Sequence, residues 1–388
     1  MKKRVSVLGA TGSIGKNTLD VIRSGINNFE PALFSANSNA AALTALALEF
    51  PNAKIAFSGS RETARHGDIT ELSCLDKRRV YYGRAGLLAA IGEAEAELTL
   101  NGISGAAGLE PSLVALDSGS ALALANKESM VMAGRLVLKT AAAHALPVIP
   151  VDSEHSAIFN LLRSREKTAL KEVLITASGG PFRTWNVERL KKVRPEDALV
   201  HPTWRMGAKI TIDSASLANK GLEVIEAARL FDIDADRIKV VVHPQSVVHS
   251  MVRMKDGAVY AQLSNPDMRL PIHEALYYPE TATSPWGELK FDSLQLTFEQ
   301  PDFERFPMLS LAYNALRAGG CYPIAYNAAN EFAVAAFLGG RIPFTGISEI
   351  CGDVLREDWS GGDDDLESIL SADGKARNIA AKTPLCEN

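Results

Sequence analysis

Three glycines near the start of the chain limit its fold more than any other feature. Gly9, Gly12 and Gly15 follow the β-rich run Val5-Ser6-Val7-Leu8 and lead into an amphipathic pattern with Leu19, Val21 and Ile22. A strand that turns sharply into a helix needs residues without Cβ atoms at the turn, and the exposed N–H groups of the helix start then attract an anion such as a pyrophosphate. This order predicts the strand, turn and helix that open a Rossmann-type dinucleotide-binding domain; a purely structural tight turn is the competing reading. The second strand should end near Asn37, Ser38 and Asn39. No carboxylate stands there to hold a ribose 2′-hydroxyl, which favours NADP over NAD, although no basic residue is present either.

Further strand candidates at Pro31–Ser35, Lys54–Phe57, Leu98–Ile103, Ser120–Leu124 and Pro147–Val151 alternate with Ala- and Leu-rich helical patterns, so a mostly parallel sheet is expected. From about Asp152 the strands, at Glu172–Thr176, Lys239–Val242, Ser250–Arg253 and Val259–Leu263, are separated by polar, Gly-containing loops. Leu309–Ala318, Ala325–Leu338 and Ile347–Glu357 then read as a helical bundle. The fold class is α/β: a Rossmann-type domain over 1–150, a catalytic α/β domain over 151–277, a linker over 278–303 and a C-terminal helical domain over 304–388. Asp363, Asp364 and Asp365 suit a turn and a helix N-terminus better than a metal site.

The 388 residues permit two or three domains, and 41 Lys plus Arg against 46 Asp plus Glu give a net charge of −5, without the positive excess that nucleic-acid binding requires. No run reaches the roughly 20 apolar residues of a membrane span. Cys74, Cys321, Cys351 and Cys386 lie far apart without CxxC spacing, which excludes a readable zinc site or disulfide framework and suits the cytoplasm. A plastid chain with its transit peptide removed would read the same way.

The strongest chemical signal is Asp152-Ser153-Glu154, which sets two carboxylates just past a strand end. A third comes from the helical stretch Ser214–Glu223, where, at about 100° per residue, Asn219, Lys220 and Glu223 fall within one arc and Ala218, Leu222 and Ile225 share the apolar face. Three oxygen ligands and no Cys select a hard divalent cation, Mg2+ or Mn2+ with Co2+ also allowed. A helix-capping Asp beside a surface Glu is the plainer alternative. Nearby segments suit a phosphorylated substrate: Ala177-Ser178-Gly179-Gly180 as a backbone anion nest, Ser214 at a helix start, and the charge of Lys220. Each taken singly is as well explained by a turn, a cap or a solvated lysine. The loop His201-Pro202-Thr203-Trp204-Arg205-Met206-Gly207 reads as a lid or as a surface loop packed by Trp204. Lys127 faces substrate oxygens or begins a helix, and His243 and His249 are as readily structural as catalytic.

The motifs GATGSIG, ANKES, DSEHSAIFN, ASGGPFR, HPTWRMG, DSASLANKGLEVIEA, HPQSVVHSMV and NPDMR, in this order from Arg4 to about Glu331, resemble the 1-deoxy-D-xylulose 5-phosphate reductoisomerase family. The resemblance implies a homodimer with NADPH, a divalent cation and a flexible flap, acting on a small phosphorylated substrate. It implies Asp152, Glu154 and Glu223 as metal ligands, with Lys127, Glu154 and His201 catalytic. It carries Ser153, Ser178, Ser214, Asn219, Lys220, Trp204, Met206, Ser246 and Met268 to the substrate pocket. Thr11, Gly12, Ser13, Ile14, Asn126, Glu128 and Gly207 go to the cofactor, with Asn37, Ser38 and Asn39 at its 2′-phosphate. Asn37 and Ser38 depart from the usual Gly and basic residue. Semialdehyde dehydrogenases share the GATG opening, but they need a catalytic cysteine beside a motif, and none of the four stands so. A cofactor-sensing module or a metal-free reductase would leave Asp152, Glu154 and Glu223 without a role.

Overall fold

The computed structural model describes residues 2–59, 72, 74–200, 202–204 and 206–383. The chain forms two compact, discontinuous units, the first taking Met1–Ser129, Val137–Ser153 and Asp267–Gly287, the second Met130–Leu136, Glu154–Pro266 and Glu288–Asn388.

The first unit is built on a seven-stranded parallel sheet. Strands β1 (Lys3–Leu8), β2 (Phe29–Ala36), β3 (Lys54–Phe57), β4 (Val80–Tyr82), β5 (Leu98–Asn101), β6 (Ala121–Leu124) and β7 (Val148–Pro150) pair in the order β4-β3-β2-β1-β5-β6-β7. Its helices are α1 (Ser13–Ser24), α2 (Ala40–Glu49), α3 (Gly83–Gly92), α4 (Leu109–Asp117) and most of α5 (Lys127–Ala143). β5 is buried throughout and β6 over Leu122–Leu124, as parallel strands covered on both faces must be, and the polar Thr99 of β5 is satisfied by Ser120 Oγ at 2.8 Å. The chain order reverses direction between β1 and β5, which places the ligand crevice beyond the C-terminal end of β1. β5 stops at Asn101, two residues short of the hydrophobic run, because the Asn101 side chain accepts from Ile103 N (3.1 Å) and donates to Gly108 O (2.8 Å), which fixes a turn. β2 begins earlier than its pattern: Phe29 is buried edge-on against Tyr277, ring centroids 4.9 Å apart. That partner belongs to the helix Arg269–Tyr277, which the segment Asp267–Gly287 returns to this unit.

The second unit holds a mixed four-stranded sheet, β11-β10-β8-β9, made of β8 (Leu170–Ala177), β9 (Ile238–Val242), β10 (Val248–Met254) and β11 (Val259–Leu263). Its helices begin with α6 (Ser153–Arg163), the short α7 (Val187–Leu190) and α8 (Pro195–Ala198), α9 (Ala208–Ala215) and α10 (Ala218–Phe231). After the returning helix, numbered α11 (Arg269–Tyr277), come α12 (Pro307–Ala318), α13 (Tyr322–Leu338), α14 (Gly346–Val354) and α15 (Leu366–Lys382). α15 escapes the sequence pattern, but its start agrees with the acidic cluster's capping role: Asp365 accepts from Ser368 N at 2.9 Å. Asp363 instead pairs with Arg135 and with the half-buried Arg229, each at 3.3 Å. The stretch from Ser214 to Glu223 is not one helix. Leu217 adopts a left-handed conformation (φ +60°), so Ser214 lies in the last turn of α9 rather than at a helix start. Among the described residues no helix is long and apolar enough to cross a membrane.

Candidate active site

The glycine loop is shaped by steric demand. Gly9 has φ +75°, and a Cβ there would stand 2.9 Å from Gly102 O. A Cβ on Gly15 would run into the backbone of Gly9 and Ala10. Gly12 N donates to Gly9 O at 3.0 Å, and Gly9 N donates to Ser35 Oγ at 3.0 Å, fastening the loop to β2. Gly12 sits at the N-cap of α1 without a side-chain cap, and Gly12 and Ser13 are exposed. Backbone N–H groups and the helix dipole are therefore offered outward with no side chain in the way. At the end of β2 Asn37 is exposed, Ser38 is half-buried, and Asn39 caps α2 by accepting from Ala42 N at 2.9 Å. Asn126, expected at the cofactor, is buried. Its Nδ2 donates to Ile103 O, Gly105 O and Glu128 Oε2 at 2.7–3.0 Å, and its Oδ1 accepts from Ser129 N. This side chain bolts the loop after β5 to the start of α5, and Glu128, also buried, is part of the bolt.

Asp152, Glu154 and Glu223 each turn a carboxylate oxygen to a common point, all within 4.8 Å of one another, and they are the one such group of acidic, His or Cys residues among the described residues. β7 and the first turn of α6 set the first two; α10 sets the third, which is 1% exposed. Lys220 Nζ bridges Glu154 Oε1 (2.7 Å) and Glu223 Oε2 (2.5 Å), and Asn219 Nδ2 donates to Glu223 Oε1 at 2.6 Å. Lys127 Nζ holds Asp152 Oδ2 at 2.7 Å. Three carboxylates against two ammonium groups leave one net negative charge among buried or half-buried side chains, an all-oxygen donor set that fits a hard divalent cation. The predicted arc on α10 is present, with Ala218, Leu222 and Ile225 buried on its other side.

Two of the phosphate-type segments, the Ser178-Gly179-Gly180 turn and Ser214, also come together. Ser178 follows β8, and Gly179 (φ +83°) and Gly180 (φ +67°) turn the chain so that a Cβ on Gly180 would lie 2.7 Å from Ser214 O. Gly180 N points at Ser178 Oγ, 3.3 Å away. In the loop before α9, Trp204 and Met206 are half-buried and Gly207 is exposed; the Trp204 ring lies 6.3 Å from that of His249. Ser246 is buried with φ +52°, and Met268 stands half-buried at the start of α11 in the first unit. Ser153 is buried in the first turn of α6. His201 lies outside the described residues.

Profiles of three protein families match this architecture in sequence: "1-deoxy-D-xylulose 5-phosphate reductoisomerase" over residues 5–134, its "C-terminal domain" over 148–231, and "DXP reductoisomerase C-terminal domain" over 263–379. This chain belongs to the 1-deoxy-D-xylulose 5-phosphate reductoisomerase family. The match runs well beyond Glu331, where the readable motifs end. Relatives with that name include those of Treponema denticola, 45% identical over 98% of this chain and 96% of the relative, and Chlorobium phaeobacteroides, 48% identical over 97% and 98%. Among solved structures, the reductoisomerase from Zymomonas mobilis in complex with NADPH has a TM-score of 0.88 at 40% identity, covering 98% of both chains. A DOX-P reductoisomerase in complex with NADPH, fosmidomycin and magnesium reaches 0.91 at 40% identity, covering 98% of this chain and 97% of that one.

Sequence patterns give no role to two buried residues behind the reductoisomerase carboxylates. His155 is fully buried, its Nε2 3.0 Å from Glu223 O and its Nδ1 3.5 Å from Glu226 Oε2. An imidazole gripping the backbone of Glu223 fixes where that carboxylate points. The only available signal is that His155 follows Glu154 directly and Glu226 lies one helical turn after Glu223. His243 proves structural: its Nε2 accepts from Val247 N and Val248 N (3.2 and 3.1 Å) and its Nδ1 donates to Thr297 O (2.9 Å), which builds the turn carrying Ser246. Cys321 and Cys351 are poorly suited to act as thiolate nucleophiles. Burial pushes the Cys321 and Cys351 thiols upward in pKa, against the lowering an acyl-transfer cysteine needs.

Proposed function

We propose that this chain carries out the NADPH- and divalent-metal-dependent rearrangement and reduction of 1-deoxy-D-xylulose 5-phosphate to 2-C-methyl-D-erythritol 4-phosphate, a step toward isoprenoid precursors. The observation that carries this reading is the carboxylate trio buttressed by Lys127 and Lys220 within a chain of this family. A divalent ion held by Asp152, Glu154 and Glu223 supplies Lewis acidity to the substrate's ketone, and NADPH supplies the hydride.

The chain's own residues do the rest. Thr11, Gly12, Ser13 and Ile14 present the start of α1 to the pyrophosphate, while Asn37, Ser38 and Asn39 stand where the 2′-phosphate end of the cofactor belongs. Gly207 borders the nicotinamide end. Ser178, Ser214, Asn219, Lys220 and His201 bind the substrate phosphate and so orient carbons remote from it. Ser153, Ser246 and Met268 line the pocket. Lys127 places its ammonium against the negative charge that develops on the substrate oxygens. Trp204 and Met206 close over the substrate and exclude water. The catalytic form is a homodimer in the cytoplasm, a placement consistent with the free Cys321 and Cys351 thiols.

The test is optical. Purified protein given 1-deoxy-D-xylulose 5-phosphate and Mg2+ or Mn2+ consumes NADPH, and a chelator stops it. Constant NADPH absorbance with folded protein overturns the assignment.

A further inference from the structure

The proposed reaction gives no work to a buried carboxylate next to Ser214. Asp213 is 1% exposed, yet it accepts hydrogen bonds from Asn330 Nδ2 of α13 at 2.8 Å and from Lys209 Nζ at 2.9 Å. Asn330 is fully buried, and its own Oδ1 meets no hydrogen-bond donor among the described residues. If the only task were to pack α13 on α9, an apolar pair would serve without the cost of desolvating a charge and orphaning an amide oxygen. What the polar pair adds is direction. Apolar contacts tolerate a helix turning about its axis, whereas a 2.8 Å bond to a carboxylate fixes one rotation.

That rotation matters because of what α9 carries. Ser214 is the next residue, and the left-handed corner at Leu217 joins it to Asn219 and Lys220 on α10. α13 touches the same corner again. Tyr326 Oη lies 3.5 Å from Ala218 O and 3.2 Å from Met308 O, and a Cβ on Gly221 would meet Tyr326 Oη at 2.6 Å. One helix of the C-terminal segment thus holds both sides of the corner that presents the phosphate-binding side chains.

We propose that Asn330, acting through Asp213, is a positioning residue for the substrate's phosphate. The proposal rests on the function given above, since it assumes that Ser214, Asn219 and Lys220 receive a phosphate. Asn330→Leu removes the donor at nearly constant volume. The KM for 1-deoxy-D-xylulose 5-phosphate should rise about tenfold, the factor expected for one lost bond to a charged group, with the KM for NADPH unchanged and kcat within about threefold. Inorganic phosphate, followed by its thermal stabilisation of the protein, should weaken by the same factor, a readout independent of turnover. Asp213→Asn keeps an oxygen for Asn330 and should retain most of the affinity. Asn330→Ser, too short to reach Asp213, should behave as Asn330→Leu, and it carries the test if the leucine variant does not fold. Variants that melt earlier but keep the parental substrate KM and phosphate affinity overturn the positioning role. An unaltered chain that binds phosphate but does not consume NADPH counts against the function instead, and the phosphate measurement still decides the pair.

Discussion

The glycine loop of the first unit and the carboxylate cluster around α6 and α10 handle charge in opposite ways. The loop contains no ionised side chain: it offers partial positive charge from backbone N–H groups, and its selectivity lies in the space that missing Cβ atoms leave. In the cluster nearly every side chain is an ion, and two buried ammonium groups hold three carboxylates close together against their mutual repulsion. Shape should therefore govern the loop and charge the cluster. Isosteric charge removal should destroy the second and leave the first intact, and one added methyl group should do the reverse.

The largest effect expected is from Glu223→Gln, which keeps volume and hydrogen-bonding shape but removes one charge from the trio. Turnover should fall about a thousandfold or more while NADPH titrates as in the parent. A variant with normal kcat at ordinary metal concentrations would break the comparison. Next comes Gly15→Ala, whose methyl meets the backbone of Gly9 and Ala10. NADPH affinity should weaken about a hundredfold, the upper end of what overpacking of 1–3 kcal/mol produces, with metal affinity unchanged. Equal NADPH binding by parent and variant would show that the loop can yield. His155→Gln tests whether the cluster needs shape as well as charge. The metal concentration for half-maximal activity should rise about tenfold, since the grip on Glu223 O is lost while all three ligands remain. The smallest effect concerns the first unit, where burial holds the His273 pKa below its usual value. A histidine that resists protonation when folded leaves stability intact above its unfolded pKa of about 6.5, and costs stability as the pH falls below it. The urea midpoint of the parent should therefore drop from pH 7 to 5 slightly more than that of His273→Asn.

The two regions were also unequally legible. The loop could be read from local sequence because Gly9, Gly12 and Gly15 act on their own stretch of backbone. Asp152 and Glu154 were legible for the same reason, two residues apart, and Glu223 through helical periodicity. Neither the grip of His155 on Glu223 nor the bond from Asn330 to Asp213 could be foreseen, because each joins segments distant in sequence and is decided by packing. The hydrogen bonds that Asn126 makes are likewise hidden, because their acceptors, Ile103 O and Gly105 O, lie in a distant segment of the chain. The Ser214–Glu223 stretch looked helical throughout because Leu217 carries no composition signal for a left-handed corner. The return of Asp267–Gly287 to the first unit was equally hidden, since it depends on contacts such as Phe29 against Tyr277 that join residues far apart in sequence.

That return has a consequence for how the protein is made. Lys3 Nζ donates to Leu276 O and Tyr278 O at 2.8 Å, and Asn28 Nδ2 donates to Tyr277 Oη at 2.8 Å. During synthesis the ribosome must therefore deliver most of the second unit before the first can close its flank. Until residue 278 emerges, the ring of Phe29 lacks its edge-on partner and the Lys3 ammonium lacks its two carbonyl acceptors, so a chain stalled early presents an uncovered apolar seam to chaperones and proteases.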